Sequence, residues 1–587
     1  YEAGQLGLQA LLHFAERAAA RAETQAAQAE GQRKDELLEI ARVCRKVPRE
    51  RAETFHEALQ SFWFLHLCLQ IDSNGHSMSP GRFDQYTWRC YENDMQRGVS
   101  PEREEELLGC LWVKFAEISK LRDYMGSLAF GGYPMFQNLI VGGMDADGND
   151  VTNDVSVLCC KVTAELKLSQ PSLSVRWHKH SARRMKLAAA EVARAGIGMP
   201  AYFNDEAIIP VLRNIGCSLA EARDYCEVGC VEPHVAGRME GMYSAGFTNL
   251  CKVLETTIFN GVDPIRGKQI GLAVGEQFED FTAFYDAYRT QQRYFMDLHA
   301  QSDNAVEFAH STLGPTPLVS CFVDDCIERG VDIRRGGAHY NYTSPNAVGL
   351  ANLGDSMLVI KRKIFEEKKY SMDELRGFLR SDFLGHERVR QEFLNDVPKY
   401  GNDDDEADAM ARRCGEDYCI DFKRYTGYRG ASFQPGLQSI SAHALFGGSL
   451  GATPDGRTKQ MLVSDGGVSP AQGRDICGPT AAMLSVAKLN HLEATNGALL
   501  NVKFHPSAIK GERGLENLCA LTDAFFGLGA QHVQYNVVDS EVLRDAQKHP
   551  EKYGDLVVRV AGFSVLFTTL DTVLQNDIIE RTQHNCC

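Results

Sequence analysis

Val228-Gly229-Cys230-Val231-Glu232-Pro233 and Arg559-Val560-Ala561-Gly562-Phe563-Ser564 are the two stretches on which the reading of this chain turns. In extended backbone, residues i and i+2 point the same way. Cys230 and Glu232 are therefore expected on one face, a thiol beside a carboxylate. Pro233 fixes the backbone beyond them, and Gly229 permits a tight turn before them. Such a pair suits hydrogen-atom abstraction combined with proton transfer on neighbouring substrate atoms. Gly562 follows a valine-rich, strand-like run. With no side chain, its Cα can flatten on losing a hydrogen atom, and the radical spreads onto the flanking amide and carbonyl. The missing Cβ also lets another group approach closely. A backbone radical there can exchange hydrogen with a nearby thiol at small energetic cost.

Each stretch alone is an ordinary cysteine near a glutamate, or one glycine among 52. Their conjunction is specific, and further segments accompany it: SPGRFDQY (79–86), GGAHYNYTSP (336–345), VPKYGNDDD (397–405), GATPDGR (451–457), ATNGALLNVKF (494–504) and LQNDIIERTQH (574–584). The set resembles the glycyl radical enzyme superfamily from about residue 50 to the C-terminus. The resemblance implies an α/β fold, a ten-stranded β/α barrel with the Cys loop and the Gly loop meeting inside it. It implies a barrel domain over 1–545 whose N-terminal part is missing, and a glycine radical segment over 546–587. By the same likeness Gly562 stores the radical, Cys230 becomes the thiyl that attacks substrate, and Glu232 is the general base. No bound cofactor is implied. The radical would be installed by an activating enzyme that uses S-adenosylmethionine and an iron–sulfur cluster, and the chain would form a homodimer.

Gly229 stands before Cys230, where pyruvate formate-lyases carry a second cysteine, and the GCVEP form resembles the eliminating branch. The expected reaction is radical cleavage of a C–O, C–N or C–S bond in a small substrate. The alternative is a C–C cleaving enzyme such as an arylacetate decarboxylase or a formate acetyltransferase-like enzyme. An inactive fragment or a radical spare-part protein ranks below both, because the chain holds both loops. Diol-type dehydratases resemble one another in an aspartate after the Cys loop, within a WHD-like triplet. Met242-Tyr243-Ser244 occupies that place here, which argues against a simple diol. Phe136 matches an aromatic pocket wall. His76, Ser77, Tyr243, Ser244 and His234 are further candidate substrate contacts.

Composition agrees. Of 587 residues 44% are hydrophobic and 24% charged, ample for a large core. The net charge of −16 argues against nucleic acid, whose phosphates need a basic surface. No signal peptide is seen and no run of about 18 apolar residues, so a cytoplasmic location is expected. The 18 cysteines form no zinc-type spacing and read as buried reduced thiols, suited to a reducing, anaerobic cytosol. Residues 14–42, 52–70, 181–196 and 360–395 read as helical, Leu139–Val141, Leu173–Val175, His532–Val538 and Leu556–Val560 as strands, and Val573–His584 as a closing helix. No linker or repeat divides them, which favours one α/β domain.

Overall fold

Ser172-Leu173-Ser174-Val175-Arg176-Trp177 alternates polar and apolar residues, as does His532-Val533-Gln534-Tyr535-Asn536-Val537, yet every one of these residues is buried. A strand buried on both faces needs two different cores, and the computed structural model, which describes residues 1–73 and 75–585, supplies them. Leu173, Val175, Trp177, Val533, Tyr535 and Val537 face an outer core built with helices Asp154–Leu166, Arg183–Arg194 and Gly511–Gly527. Ile140, Ala201 and Phe203 face an inner core that holds Cys230, Val231, Val560, Ala561 and Phe563. The polar positions of the strands point among these inner residues.

The strands that carry the argument are β1 (Asn138–Gly142), β2 (Ser172–Trp177), β3 (Ala201–Asn204), β4 (Tyr225–Val228), β5 (Glu232–Val235), β6 (Met239–Asn249), β7 (Tyr340–Val348), β8 (Gly436–Leu437), β9 (Asn501–Phe504), β10 (His532–Val537), β11 (Val557–Arg559), β12 (Ser564–Leu566) and β13 (Gln583–His584). One sheet runs β1-β2-β3-β10-β9-β13 and another β8-β7-β6. An isolated parallel bridge between Leu437 and Ala498, just before β9, joins them. β1, β2 and β3 are mutually parallel, as are β9 and β10, and the two sets meet antiparallel where His532 pairs with Phe203. Two short hairpins, β4–β5 and β11–β12, belong to neither sheet.

Several sequence expectations need correction at their ends. The helix expected over 14–42 is two, Glu2–Ala26 and Gly31–Lys46, parted where Gly31 takes φ +57. The stretch 360–395 is broken into a π-helical turn, Ile360–Glu366, and helices Met372–Arg380 and Glu387–Asn395. The closing helix stops at Glu580, and Gln583–His584 pairs with β9. Among the described residues no helix is long and apolar enough to cross a membrane.

Candidate active site

Cys230 sits in the turn of the β4–β5 hairpin, where Val228 pairs with Glu232 and Gly229 takes φ +67. The backbone at 229–231 is therefore a turn, and Cys230 and Glu232 do not share a face of an extended strand as the i, i+2 argument expects. They meet in another way. The Glu232 carboxylate folds back over the turn, and its Oε2 accepts from Cys230 N at 2.5 Å and from Val231 N at 2.7 Å. A side chain at 229 would collide with it, since a Cβ there would lie 2.8 Å from both carboxylate oxygens. Glu232 Oε1 accepts from Gln438 Nε2 at 3.0 Å.

The second hairpin brings Gly562 to the same point. Arg559 pairs with Ser564, Val560 N donates to Phe563 O at 3.0 Å, and Gly562 takes φ +83 at the tip. A Cβ placed on Gly562 would lie 3.0 Å from Cys230 Cα and closer still to its Cβ and Sγ. The Cys230 thiol donates to Ala561 O at 3.7 Å, so its S–H is directed at the peptide beside Gly562. Residues 559–564 are all buried, and Cys230 and Glu232 are each 1% exposed. Two hairpins separated by more than 300 residues of chain thus close on one another in a space shut off from solvent.

The charges here follow from burial. Burial, then the neighbouring Glu232, raises the Cys230 thiol well above its usual range, so it stays S–H, the form that carries a hydrogen atom. Burial pushes Glu232 up to about 7, against the opposing hydrogen bonds from Gln438, Val231 and Cys230. That value suits a group that takes and returns a proton near neutrality. Arg559, lowered to about 10 by burial, remains a cation; its Nε donates to Gln534 Oε1 at 2.6 Å. Glu227, on β4, has neither carboxylate oxygen hydrogen-bonded, and burial together with Glu232 raises it far above the carboxylate range, leaving it neutral.

The other candidates lie around this core. Phe136 is buried at φ +55, edge-on to Phe563 with ring centroids 5.3 Å apart. His76 packs on Phe136 at 5.4 Å; burial and the cations Arg122 and Lys120 lower it to about 3, so its ring is neutral. Ser77, at φ +58, donates its backbone N to Met135 O at 3.3 Å. His234 Nδ1 and Tyr243 OH are 2.6 Å apart, and burial lowers His234 to about 4. Tyr243 and Ser244 fall where the register of β6 against β7 shifts between Met242 and Gly246. The Tyr243 carbonyl accepts from Asn346 Nδ2 at 3.1 Å and Asn496 Nδ2 at 2.9 Å. Asn346 Oδ1 in turn accepts from Gln438 Nε2 at 3.2 Å, so a chain of amides links Glu232 to the strand carrying Tyr243.

Sequence reading missed Gln438 and Asn346. Gln438 directly follows β8 and Asn346 lies on β7; no motif singles them out, and they reach the neighbourhood of Glu232 only through tertiary structure. Asn496 stood inside ATNGALLNVKF, where the segment but not the residue was marked.

Against known proteins, the model of the pyruvate formate lyase-like family matches residues 1–447, and that of the glycine radical family matches residues 464–568. This chain belongs to the glycyl radical enzymes. Its sequence is 38% identical over 575 residues to trans-4-hydroxy-L-proline dehydratase of Clostridioides difficile, covering 97% of this chain and 72% of that protein. It is 38% identical over 566 residues to (2S)-3-sulfopropanediol dehydratase of Klebsiella oxytoca, covering 94% and 68%. The solved B12-independent glycerol dehydratase of Clostridium butyricum superposes with a TM-score of 0.96 at 46% identity, over 98% of this chain and 73% of that one. The α/β barrel fold expected from the two loops is thus that of its relatives, and the enzyme stands in the dehydratase and lyase branch of the family.

Proposed function

We propose that this glycyl radical enzyme breaks a carbon–heteroatom bond of a small substrate, with Gly562 storing the radical, Cys230 carrying it to substrate and Glu232 moving the proton. The observation that carries the reading is the seating of Gly562 against Cys230, with the thiol S–H directed at the Gly loop and Glu232 folded over the same turn. In the first step the Cys230 S–H bond breaks and a C–H bond forms at Gly562 Cα, moving the unpaired electron to sulfur. The thiyl then takes a hydrogen atom from a substrate carbon. Glu232 accepts a proton from a hydroxyl on that carbon, and the adjacent heteroatom group leaves with its electron pair. The product radical recovers its hydrogen from Cys230, and Gly562 regains the radical.

C–O cleavage is the first choice, because the relatives named above are dehydratases. C–N and C–S cleavage use the same steps with another leaving group. Phe136, His76, Ser77, His234, Tyr243 and Ser244 are proposed to shape the substrate pocket. His234 and Tyr243, neutral and hydrogen-bonded to each other, would offer a polar but uncharged wall. The radical is proposed to come from an S-adenosylmethionine, iron–sulfur activating enzyme, and the working form to be a cytoplasmic homodimer.

The test is Cys230→Ala, activated anaerobically beside the parent enzyme and followed by electron paramagnetic resonance and product analysis on candidate hydroxylated substrates. The glycine-centred signal should persist while turnover vanishes, since storage and attack are separate steps. Turnover by Cys230→Ala, or loss of CO₂ in place of water, amine or sulfite, would overturn the reading.

A further inference from the structure

The Gly562 loop has a second anchor, on the side away from Cys230. Arg581 Nη1 donates to Val560 O at 2.7 Å, two residues before Gly562. Asn501 Nδ2 donates to the same carbonyl at 3.1 Å. The rest of the Arg581 guanidinium is held by carboxylates. Nη2 donates to Asp577 Oδ2 at 2.6 Å, and Nε lies 3.3 Å from Asp465 Oδ2. Asn501 Nδ2 also reaches Asp465 Oδ2, at 2.5 Å. Asp577 is fixed in turn, by His443 Nε2 at 3.1 Å and Gln472 Nε2 at 3.0 Å. Arg581, Asp577, Asp465 and His443 are all buried.

The element that presents Arg581 is equally tied down. It follows helix Thr572–Glu580, whose Leu574, Ile578 and Ile579 lie in the same inner core as Cys230 and Phe563. The buried Lys503 amine caps the end of that helix, its Nζ donating to Ile578 O at 3.1 Å, Ile579 O at 3.0 Å and Ser540 Oγ at 2.6 Å. None of these groups touches Cys230 or Glu232 among the hydrogen bonds of the site. They hold the carbonyl that sets where Ala561 and Gly562 stand.

We propose that Arg581, oriented by Asp577 and Asp465, is a positioning residue that keeps Gly562 within hydrogen-atom reach of Cys230. The inference rests on the roles proposed above for those two residues. The chemistry needs a guanidinium here. Its planar fork meets the carbonyl and both carboxylates at fixed angles, whereas an ammonium is a point charge on a flexible stem. Hydrogen-atom transfer depends steeply on separation, and misplacement by about 1 Å can cost roughly 10²-fold in rate. Asn501 shares the Val560 carbonyl at 3.1 Å and the hairpin pairing holds Arg559 against Ser564, but Arg581 is the charged donor to that carbonyl, and its loss leaves the Val560 end of the loop on a neutral amide alone.

The test uses Arg581→Lys, which keeps a cation between the carboxylates but loses the fork, and Arg581→Gln/Asp577→Asn, which removes the charges as a pair. Both full-length variants are activated anaerobically beside the parent enzyme. Thermal unfolding, radical per chain by electron paramagnetic resonance, and turnover per radical are measured. The expected result is folded protein that acquires the Gly562 radical, with KM little changed and turnover per radical down by roughly ten- to a hundredfold. Unchanged turnover per radical in either variant overturns the proposal. So does joint loss of fold and radical in both, which makes Arg581 a fold-holding residue only. A parent enzyme without a glycine radical, or an active Cys230→Ala, would instead sink the assignment of the radical pair on which this rests.

Discussion

No side chain fits at residue 562 because Cys230 occupies its place: a Cβ there would stand 3.0 Å from Cys230 Cα and nearer to the thiol itself. The backbone adds a second restriction, since Gly562 takes φ +83, where an L-residue is strained by about 1–2 kcal/mol. Glycine is thus required twice, for the shape of the hairpin tip and for the approach of the sulfur, before any radical chemistry is considered.

Gly562→Ala should therefore lose about 1–3 kcal/mol from overpacking alone and push the hairpin off Cys230. Thermal unfolding should report the lost stability, and electron paramagnetic resonance after activation should show no signal at this position. A variant with the parent's melting temperature and radical yield would mean that the two hairpins do not pack in this way.

Glu232→Gln keeps the shape of the turn and removes the proton acceptor. Turnover should fall by roughly 10²–10⁴-fold, the usual range for lost general acid–base catalysis, with the Gly562 radical still formed. In the parent, activity should fall as pH drops through about 7, because Glu232 then takes up the proton that disables it. The stability sign follows from the same shift. The folded chain releases this proton near 7 and the unfolded chain near the ordinary carboxyl value of 4.5. The raised value favours the folded state below that window, and the benefit is lost as pH rises across it. Glu232→Gln should flatten this part of the stability profile, as read by denaturant titrations at a series of pH values. An unaltered profile would place the titration on another group.

What was legible in the sequence was chemistry carried by contiguous residues. Cys230, Glu232 and Gly562, the residues proposed to react, stood out because a hairpin turn and a hairpin tip each hold the atoms in question within a few residues. The reason given for the first pair was wrong in detail, since residue alternation along a strand cannot foresee a carboxylate folding back onto its own turn. Gln438 and Asn346 were out of reach for a different reason, since each acts on a group far away in sequence and neither falls in a marked segment. Asp577 and Arg581 stood inside LQNDIIERTQH, where the segment but not the residues was singled out. Helix breaks were missed where Gly31 takes φ +57, because periodicity records which residues face the core and not where the backbone leaves the helix.

Gln438 gives the sharpest check on the electrostatics. Its Nε2 donates to Glu232 Oε1 at 3.0 Å and is, after burial, the largest influence on that carboxyl, holding it lower than burial alone would. Gln438→Leu removes a donor to the charged form and leaves the burial in place. Hydrogen bonds to charged groups contribute roughly 1.5–3 kcal/mol, and one pH unit corresponds to about 1.36 kcal/mol. The acid limb of the activity profile should therefore move to higher pH by about one unit or more, with activity recovering as the buffer is made alkaline. Loss of Asn346's partner at 3.2 Å would by itself lower activity equally at every pH, because it alters position and not protonation. A limb that stays where it is in Gln438→Leu, with activity merely scaled down, would show that the Gln438 amide places Glu232 without governing its charge.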